Sequence, residues 1–222
     1  MRPVLFALLG LVLVGAAPPA TDWRESAREG RDGWSFGRPE APLLAEYASF
    51  GCPHCGHFAA EAGPAIDAAV KAGKLRFSWR PFLIFPQDRA AAVLTRCVPA
   101  ARRFAFIEAV MAAQAETKTR LAAADASDQQ RQRRFEASLG GPEREAPVIA
   151  EQSGLQNLAI AHGLTPVAAS TCLADPANYA WVADADMAGR LEGITNTPTF
   201  ALAGKVLPRD VTPAGLVALL PR

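Results

Sequence analysis

The segment Leu43-Leu44-Ala45-Glu46-Tyr47-Ala48-Ser49-Phe50-Gly51-Cys52-Pro53-His54-Cys55 sets the reading of the chain. Leu43 to Phe50 is apolar except at Glu46 and Ser49, the pattern of a buried strand, and Gly51 ends it. His54 to Ala72 reads as a helix, with Phe58, Ile66 and Val70 among its apolar positions, Pro64 as a kink and Gly73 as the stop. Leu75 to Phe82 alternates Leu75, Phe77 and Trp79 against Arg76, Ser78 and Arg80, which reads as a second strand. Strand, helix and strand in so short a span make a βαβ unit, hence a parallel pair with a right-handed crossover.

Two cysteines between a strand and a helix start have a physical logic. Backbone N–H groups of a first helical turn are unpaired and the helix dipole adds partial positive charge there, so a thiolate at Cys52 is stabilised. Pro53 needs no donor in that turn, and the His54 imidazole can donate a hydrogen bond or carry positive charge near the sulfurs. Cys52 is the expected nucleophile, because Cys55 lies one turn further in; a mixed disulfide at Cys52 is resolved by Cys55 or by the partner's second thiol. Two other readings compete. Cys52, Cys55, His54 and His57 could ligate zinc or copper, but a second compact ligand pair is missing and Cys97 and Cys172 lie far away in sequence. A purely structural Cys52–Cys55 bridge would close too short a ring to be a useful staple.

The compartment comes from the N-terminus. Arg2, the apolar run Val4–Val14 and the small residues Gly15-Ala16-Ala17 before Pro18-Pro19 have the form of a secretory signal peptide over residues 1–16, cut after Ala16 or, as an alternative, after Ala20. A retained membrane anchor is disfavoured because the run is shorter than the roughly 20 residues a bilayer span needs. No cysteine precedes Cys52, so no lipidation site lies near the cut. A periplasmic location is expected, where thiols are available for disulfide chemistry. The 222 residues hold 23 basic and 22 acidic side chains, and removing Arg2 with the leader leaves 22 of each. So balanced a charge speaks against a nucleic-acid partner.

Residues 17–41 read as an irregular arm against the domain, with Trp23, Trp34 and Phe36 as isolated anchors. From Asp88 the pattern turns to Ala-rich helices. Asp88 can cap a helix carrying Cys97, Pro99 begins a break, and Phe104, Ile107, Val110 and Met111 resume at helical spacing. Ser127 to Gln130 has the capping-box form before a helix over Gln129 to Leu139, and Thr165-Pro166 and Asp175-Pro176 each pair a cap with a first-turn proline, Cys172 lying on the helix that Thr165 opens. The Arg131, Arg133 and Arg134 cluster, interleaved with Asp128 and Glu136, reads as a solvated face. After Gly193 the β pattern returns, with Thr199 to Leu202 and Lys205 to Leu207 as a hairpin around Ala203-Gly204 and Thr212-Pro213 opening a terminal helix.

Cys52-Pro53-His54-Cys55 after an apolar strand, joined to Thr197-Pro198-Thr199-Phe200 downstream, resembles the DsbA-like thiol-disulfide oxidoreductases of the thioredoxin superfamily, over residues 38–207. The resemblance implies an α/β thioredoxin fold split by an all-helical insert: residues 42–87 and 194–222 as the discontinuous thioredoxin domain and 88–193 as the insert. The 146 positions from Cys52 to Pro198 fit such an interruption. It further implies that Pro198 is a cis-proline facing Cys52, that Thr197 offers backbone groups to an extended substrate, and that Glu46 assists proton transfer at Cys55. For Glu46, burial in an apolar strand supports that role, and an ion pair with Arg76 or Arg80 is the alternative; for Thr197-Pro198 the alternative is an ordinary turn. Asn196 departs from the glycine of many relatives and leaves the shape of the substrate groove open.

Cys97 and Cys172, by resemblance and exported context, form a structural disulfide; two buried thiols or a second redox pair are the alternatives. The expected activity is introduction of disulfides into cysteine-containing exported proteins, without cofactor or metal. A membrane quinone-linked protein is the implied reoxidant. A disulfide isomerase or reductase is the competing activity, disfavoured because residues 17–41 are too few for the dimerisation domain such proteins carry, so a monomer is expected. A copper- or zinc-binding export protein is the alternative of another class.

Overall fold

A computed structural model describes residues 22–221. The signal-peptide reading and its cleavage sites lie outside the described residues.

The core is a six-stranded mixed sheet in the order β1-β2-β4-β3-β5-β6, from β1 (Arg28–Glu29), β2 (Trp34–Gly37), β3 (Leu43–Ala48), β4 (Arg76–Pro81), β5 (Thr199–Leu202) and β6 (Lys205–Val206). Only β3 and β4 run parallel, as the βαβ reading requires. Period-two alternation sorts the side chains of β3. Leu44 and Ala48 join the large core under the first helices, while Ala45 and Tyr47 pack on the opposite face with Phe82, Ile194 and Ala201. Glu46 shares the face of Leu44 and Ala48 and therefore looks toward the cysteine motif.

Two sequence expectations need correction. The long helix over His54 to Ala72 is two helices, α1 (Pro53–Glu61) and α2 (Gly63–Lys71), joined at Ala62, because Pro64 lacks an N–H and its ring collides with the carbonyl of a preceding turn. From Asp22 onward the arm is not irregular: a 3-10 turn at Trp23–Glu25 leads into β1 and β2, and β2 adds to β4 in register Trp34↔Trp79 and Phe36↔Phe77. Trp34 and Phe36 are fully buried, stacking on Trp79 and edge-on to Phe104, so their apolar area outweighs the weak propensity of so short a strand.

Eight helices separate β4 from β5: α3 (Pro86–Cys97), α4 (Ala100–Ala112), α5 (Gln114–Ala126), α6 (Asp128–Ser138), α7 (Pro142–Ser153), α8 (Leu155–Ala161), α9 (Pro166–Ala174) and α10 (Pro176–Leu191). α3 is their hub, burying every residue from Ala90 to Thr95 and packing against α4, α7, α8, α9 and α10. Ser127, Thr165 and Asp175 cap α6, α9 and α10 through their side chains. Arg133 pairs with Glu151, Arg134 with Asp125 and Arg131 with Asp128, so the arginine cluster is neutralised at the surface. A helix α11 (Pro213–Leu219), capped by Thr212, is the last element among the described residues. Among the described residues no helix is long and apolar enough to cross a membrane.

Candidate active site

Cys52 is the N-cap of α1 and Pro53 its first residue. Both cysteines of the motif are free thiols; Cys55 is fully buried and Cys52 is 6 % exposed. The Thr197–Pro198 peptide is cis, and Cys52 Sγ lies 3.5 Å from the Thr197 carbonyl oxygen, to which its thiol can donate. Among the described residues Thr197 Oγ1 is buried without a hydrogen-bond partner, and the Thr197 side chain beside Cys52 helps to lower the proton affinity of its thiol.

The two sulfurs have opposite proton affinities. Cys52 is held down at about 5, first because the Cys55 thiol hydrogen-bonds to its thiolate, then through the Thr197 side chain and the backbone N–H groups of Cys55 and His54, all working against partial burial. Cys55 is pushed far upward by burial, by that same hydrogen bond to Cys52, and by the charges of Glu46 and Cys52. His54 thus acts on the sulfur through its backbone, while its ring lies exposed in a groove of about 300 Å³ formed with Phe58, Thr197, Pro198, Arg209 and Val211.

Glu46 is buried and makes no hydrogen bond or ion pair among the described residues. Burial raises its carboxyl to about 8, and the nearby Cys52 charge adds to the shift. Of the two alternative partners, Arg76 makes no ion pair among the described residues, and Arg80 turns to the other face of the sheet, where it binds Asp32 at 2.9 Å and meets Tyr47 and Glu192. Glu46 instead borders a cavity of about 140 Å³ between the sheet, α1 and α4.

Two side chains that the sequence reading did not assign to the site shape the motif loop. Asp88, read as a helix cap, accepts from Ile84 N and Phe85 N at 2.8 Å and also from Ser49 Oγ at 2.7 Å and Gly51 N at 2.8 Å, so one buried carboxyl joins the start of α3 to the residues just before Cys52. Burial pushes that carboxyl upward and the donors oppose it. Gln114, the first residue of α5, donates through Nε2 to the carbonyls of Phe50 at 2.9 Å and Cys52 at 3.0 Å. Its amide packs so tightly on α1 that a Cβ at Gly56 would come within 2.3 Å of Gln114 Oε1. No local pattern marks Gln114; only the folded insert brings it to the motif.

Away from the motif, Cys97 and Cys172 form a disulfide with Cα atoms 6.2 Å apart. Asn178 Nδ2 donates to the Cys172 carbonyl at 2.9 Å and approaches the two sulfurs at 3.5 and 3.7 Å. No group of three or more His, Cys, Asp or Glu residues able to hold a metal occurs among the described residues.

A family model described as Thioredoxin matches residues 30–222, a span that takes in β2. Among solved structures, a protein-disulfide isomerase from Novosphingobium aromaticivorans is 30% identical with a TM-score of 0.68, covering 79% of this chain and 88% of that one. Wolbachia pipientis alpha-DsbA1 is 25% identical with a TM-score of 0.57, over 76% of this chain and 73% of that one. The MdbA thiol-disulfide oxidoreductase from Actinomyces oris is 18% identical and shares the fold, with a TM-score of 0.61 over 93% of this chain and 92% of that one. No curated protein matches the chain.

Proposed function

The chain belongs to the DsbA-like thiol-disulfide oxidoreductases of the thioredoxin superfamily, and from that membership we propose that it is an exported, monomeric oxidase that donates its Cys52–Cys55 disulfide to cysteine-containing proteins in the periplasm. The observation that carries the direction is the split between the two sulfurs, Cys52 at about 5 and Cys55 pushed far up. A thiolate stabilised at the start of α1 favours the reduced form, so the disulfide gives up its oxidising equivalents readily.

In the donating direction a substrate thiolate attacks Cys52 Sγ and forms a mixed disulfide, and the Cys52–Cys55 bond breaks with its electron pair on Cys55. That thiolate is a poor leaving group unless it is protonated. Glu46, still largely protonated at neutral pH, supplies the proton. A second substrate thiolate then attacks the substrate sulfur and expels Cys52 as a stable thiolate, so the substrate dithiol is oxidised and the protein reduced. The Thr197–Pro198 segment and the groove beside His54 would hold the substrate chain in extended form. A membrane quinone-linked protein is the proposed reoxidant.

Isomerase or reductase activity is the second reading, favoured by the name of the Novosphingobium structure. The reduction potential separates the two: a value near about −120 mV supports the oxidase, and one near about −270 mV overturns it in favour of a reductant. Ultraviolet titration of the Cys52 thiolate is the companion measurement, with a midpoint near 5 expected for the oxidase.

A further inference from the structure

The proton that Glu46 hands to Cys55 has to be replaced, and Glu46 lies behind α1 with 6 % of its surface exposed. The 140 Å³ cavity it borders is walled mainly by Phe58, Ile66, Phe77, Phe104 and Met111, and it has a second carboxyl on its rim, Glu108 of α4. Glu108 is otherwise exposed, so it touches both bulk solvent and the cavity. A buried water needs about 10–15 Å³ of such space and polar partners, so the cavity has room for a short chain of water, with the Glu46 and Glu108 carboxyls as polar partners at its ends. We propose that Glu108 is the outer station of a proton relay that runs from solvent through the water of this cavity to Glu46 and on to Cys55.

The step balances without an added reactant. When Cys55 leaves Cys52, Glu46 gives its proton to the Cys55 sulfur, Glu108 gives a proton through the intervening water to Glu46, and solvent reprotonates Glu108. On reoxidation the proton released by Cys55 travels outward. The charged groups acting on Glu108 are Asp67 of α2 and Arg24 of the N-terminal turn, the latter shared with Asp22 and Asp67 at 3.2 Å, while α1 lines the same cavity with Gly56, Phe58, Ala59 and Ala60. Partial desolvation first, and Asp67 second, raise the Glu108 carboxyl to about 7 against Arg24, a value suited to exchanging protons at neutral pH. Glu108 touches neither sulfur and is a positioning residue for the proton rather than a catalytic one.

This inference rests on the exchange reading above, so wild-type exchange with a model dithiol peptide is measured first; no exchange at all there overturns that reading and the relay with it. With exchange established, Glu108→Gln and Glu46→Gln are compared by stopped-flow from pH 5.5 to 8.5. Expected for Glu108→Gln is a roughly tenfold slower proton-coupled step, the loss of one ionisation from the pH profile, and recovery of the rate on adding imidazole buffer, with the Cys52 titration unmoved. Glu108→Asp should restore most of the rate. A Glu108→Gln profile that superimposes on wild type while Glu46→Gln is slow overturns the relay and leaves the exchange reading intact. A slow Glu108→Gln that neither buffer nor Glu108→Asp repairs overturns it as well.

Discussion

The two cysteine pairs of this chain both pack into the core, with Cys52, Cys55 and Cys172 buried and Cys97 partly so, yet they sit at opposite ends of helices. Cys52 caps the N-terminus of α1, whereas Cys97 is the last residue of α3 and Cys172 lies in the last turn of α9. A helix N-terminus offers free N–H groups and partial positive charge, and a C-terminus offers carbonyls and partial negative charge, so a thiolate is welcomed at Cys52 and not at Cys97 or Cys172. A disulfide is labile when a leaving sulfur is stable as a thiolate. Burial alone therefore does not separate a redox pair from a staple: the helix end contributes at Cys52, together with the Cys55 thiol and Thr197. The strongest test of that contrast is Cys52→Ser, expected to lower dithiol exchange by at least about 10³-fold while leaving the Cys97–Cys172 bridge intact by mass mapping of non-reduced peptides.

The complementary change, Cys97→Ser with Cys172→Ser, acts on the other side of the contrast. The bridge spans 75 positions, and on chain-entropy grounds its loss costs up to about 4–5 kcal/mol, read as a lower midpoint in denaturant. Exchange at Cys52 should stay within about twofold at a temperature where the variant is folded. A collapse of exchange in the folded double variant would show that the insert's staple also governs the motif.

How much of this was legible in the sequence follows the range of the interactions. The βαβ unit, the capping of α6, α9 and α10, and the closing hairpin rest on contacts a few residues apart, and each was readable from periodicity and cap chemistry. β2 was misread because four residues carry too little pattern; the burial that makes Trp34-Ser35-Phe36 a strand comes from Trp79 and Phe104, far along the chain. The site divides in the same way. Cys52 and Cys55 could be nominated from the motif, and Glu46 and Pro198 from the family resemblance, but Gln114, Asp88's hold on Gly51 and Glu108 on the cavity rim exist only once the insert has folded over α1.

Glu46 tests the redox side at a smaller scale. Its carboxyl is raised from 4.5 to about 8 in the folded state, so the native protein binds that proton more tightly than the unfolded chain. Stability then falls as pH climbs from about 4.5 to about 8, because the unfolded chain ionises first. Glu46→Gln removes this penalty. Thermal unfolding should show no gain near pH 4.5 and a gain of up to about 3 kcal/mol at pH 7, together with slower exchange. A gain of equal size at both pH values would place its cause in packing and not in the buried charge.

The smallest expected effect comes from Gln114, which asks whether the insert acts on the reactive pair or merely shares its core. Gln114→Ala leaves the Phe50 carbonyl without its donor and takes one of two donors from the Cys52 carbonyl, which keeps Gly56 N–H, for about 1–2 kcal/mol of stability. Gln114→Glu has nearly the same shape but cannot donate when ionised, and it brings negative charge beside the carbonyl of the residue whose thiolate must form. If the amide holds the loop in the geometry that stabilises the thiolate, Cys52 titrates upward from about 5 in both variants, and further in Gln114→Glu than in Gln114→Ala. If both variants lose stability while Cys52 titrates as in wild type, the insert supports the fold at that contact, and the low proton affinity of Cys52 belongs to α1, Cys55 and Thr197 alone.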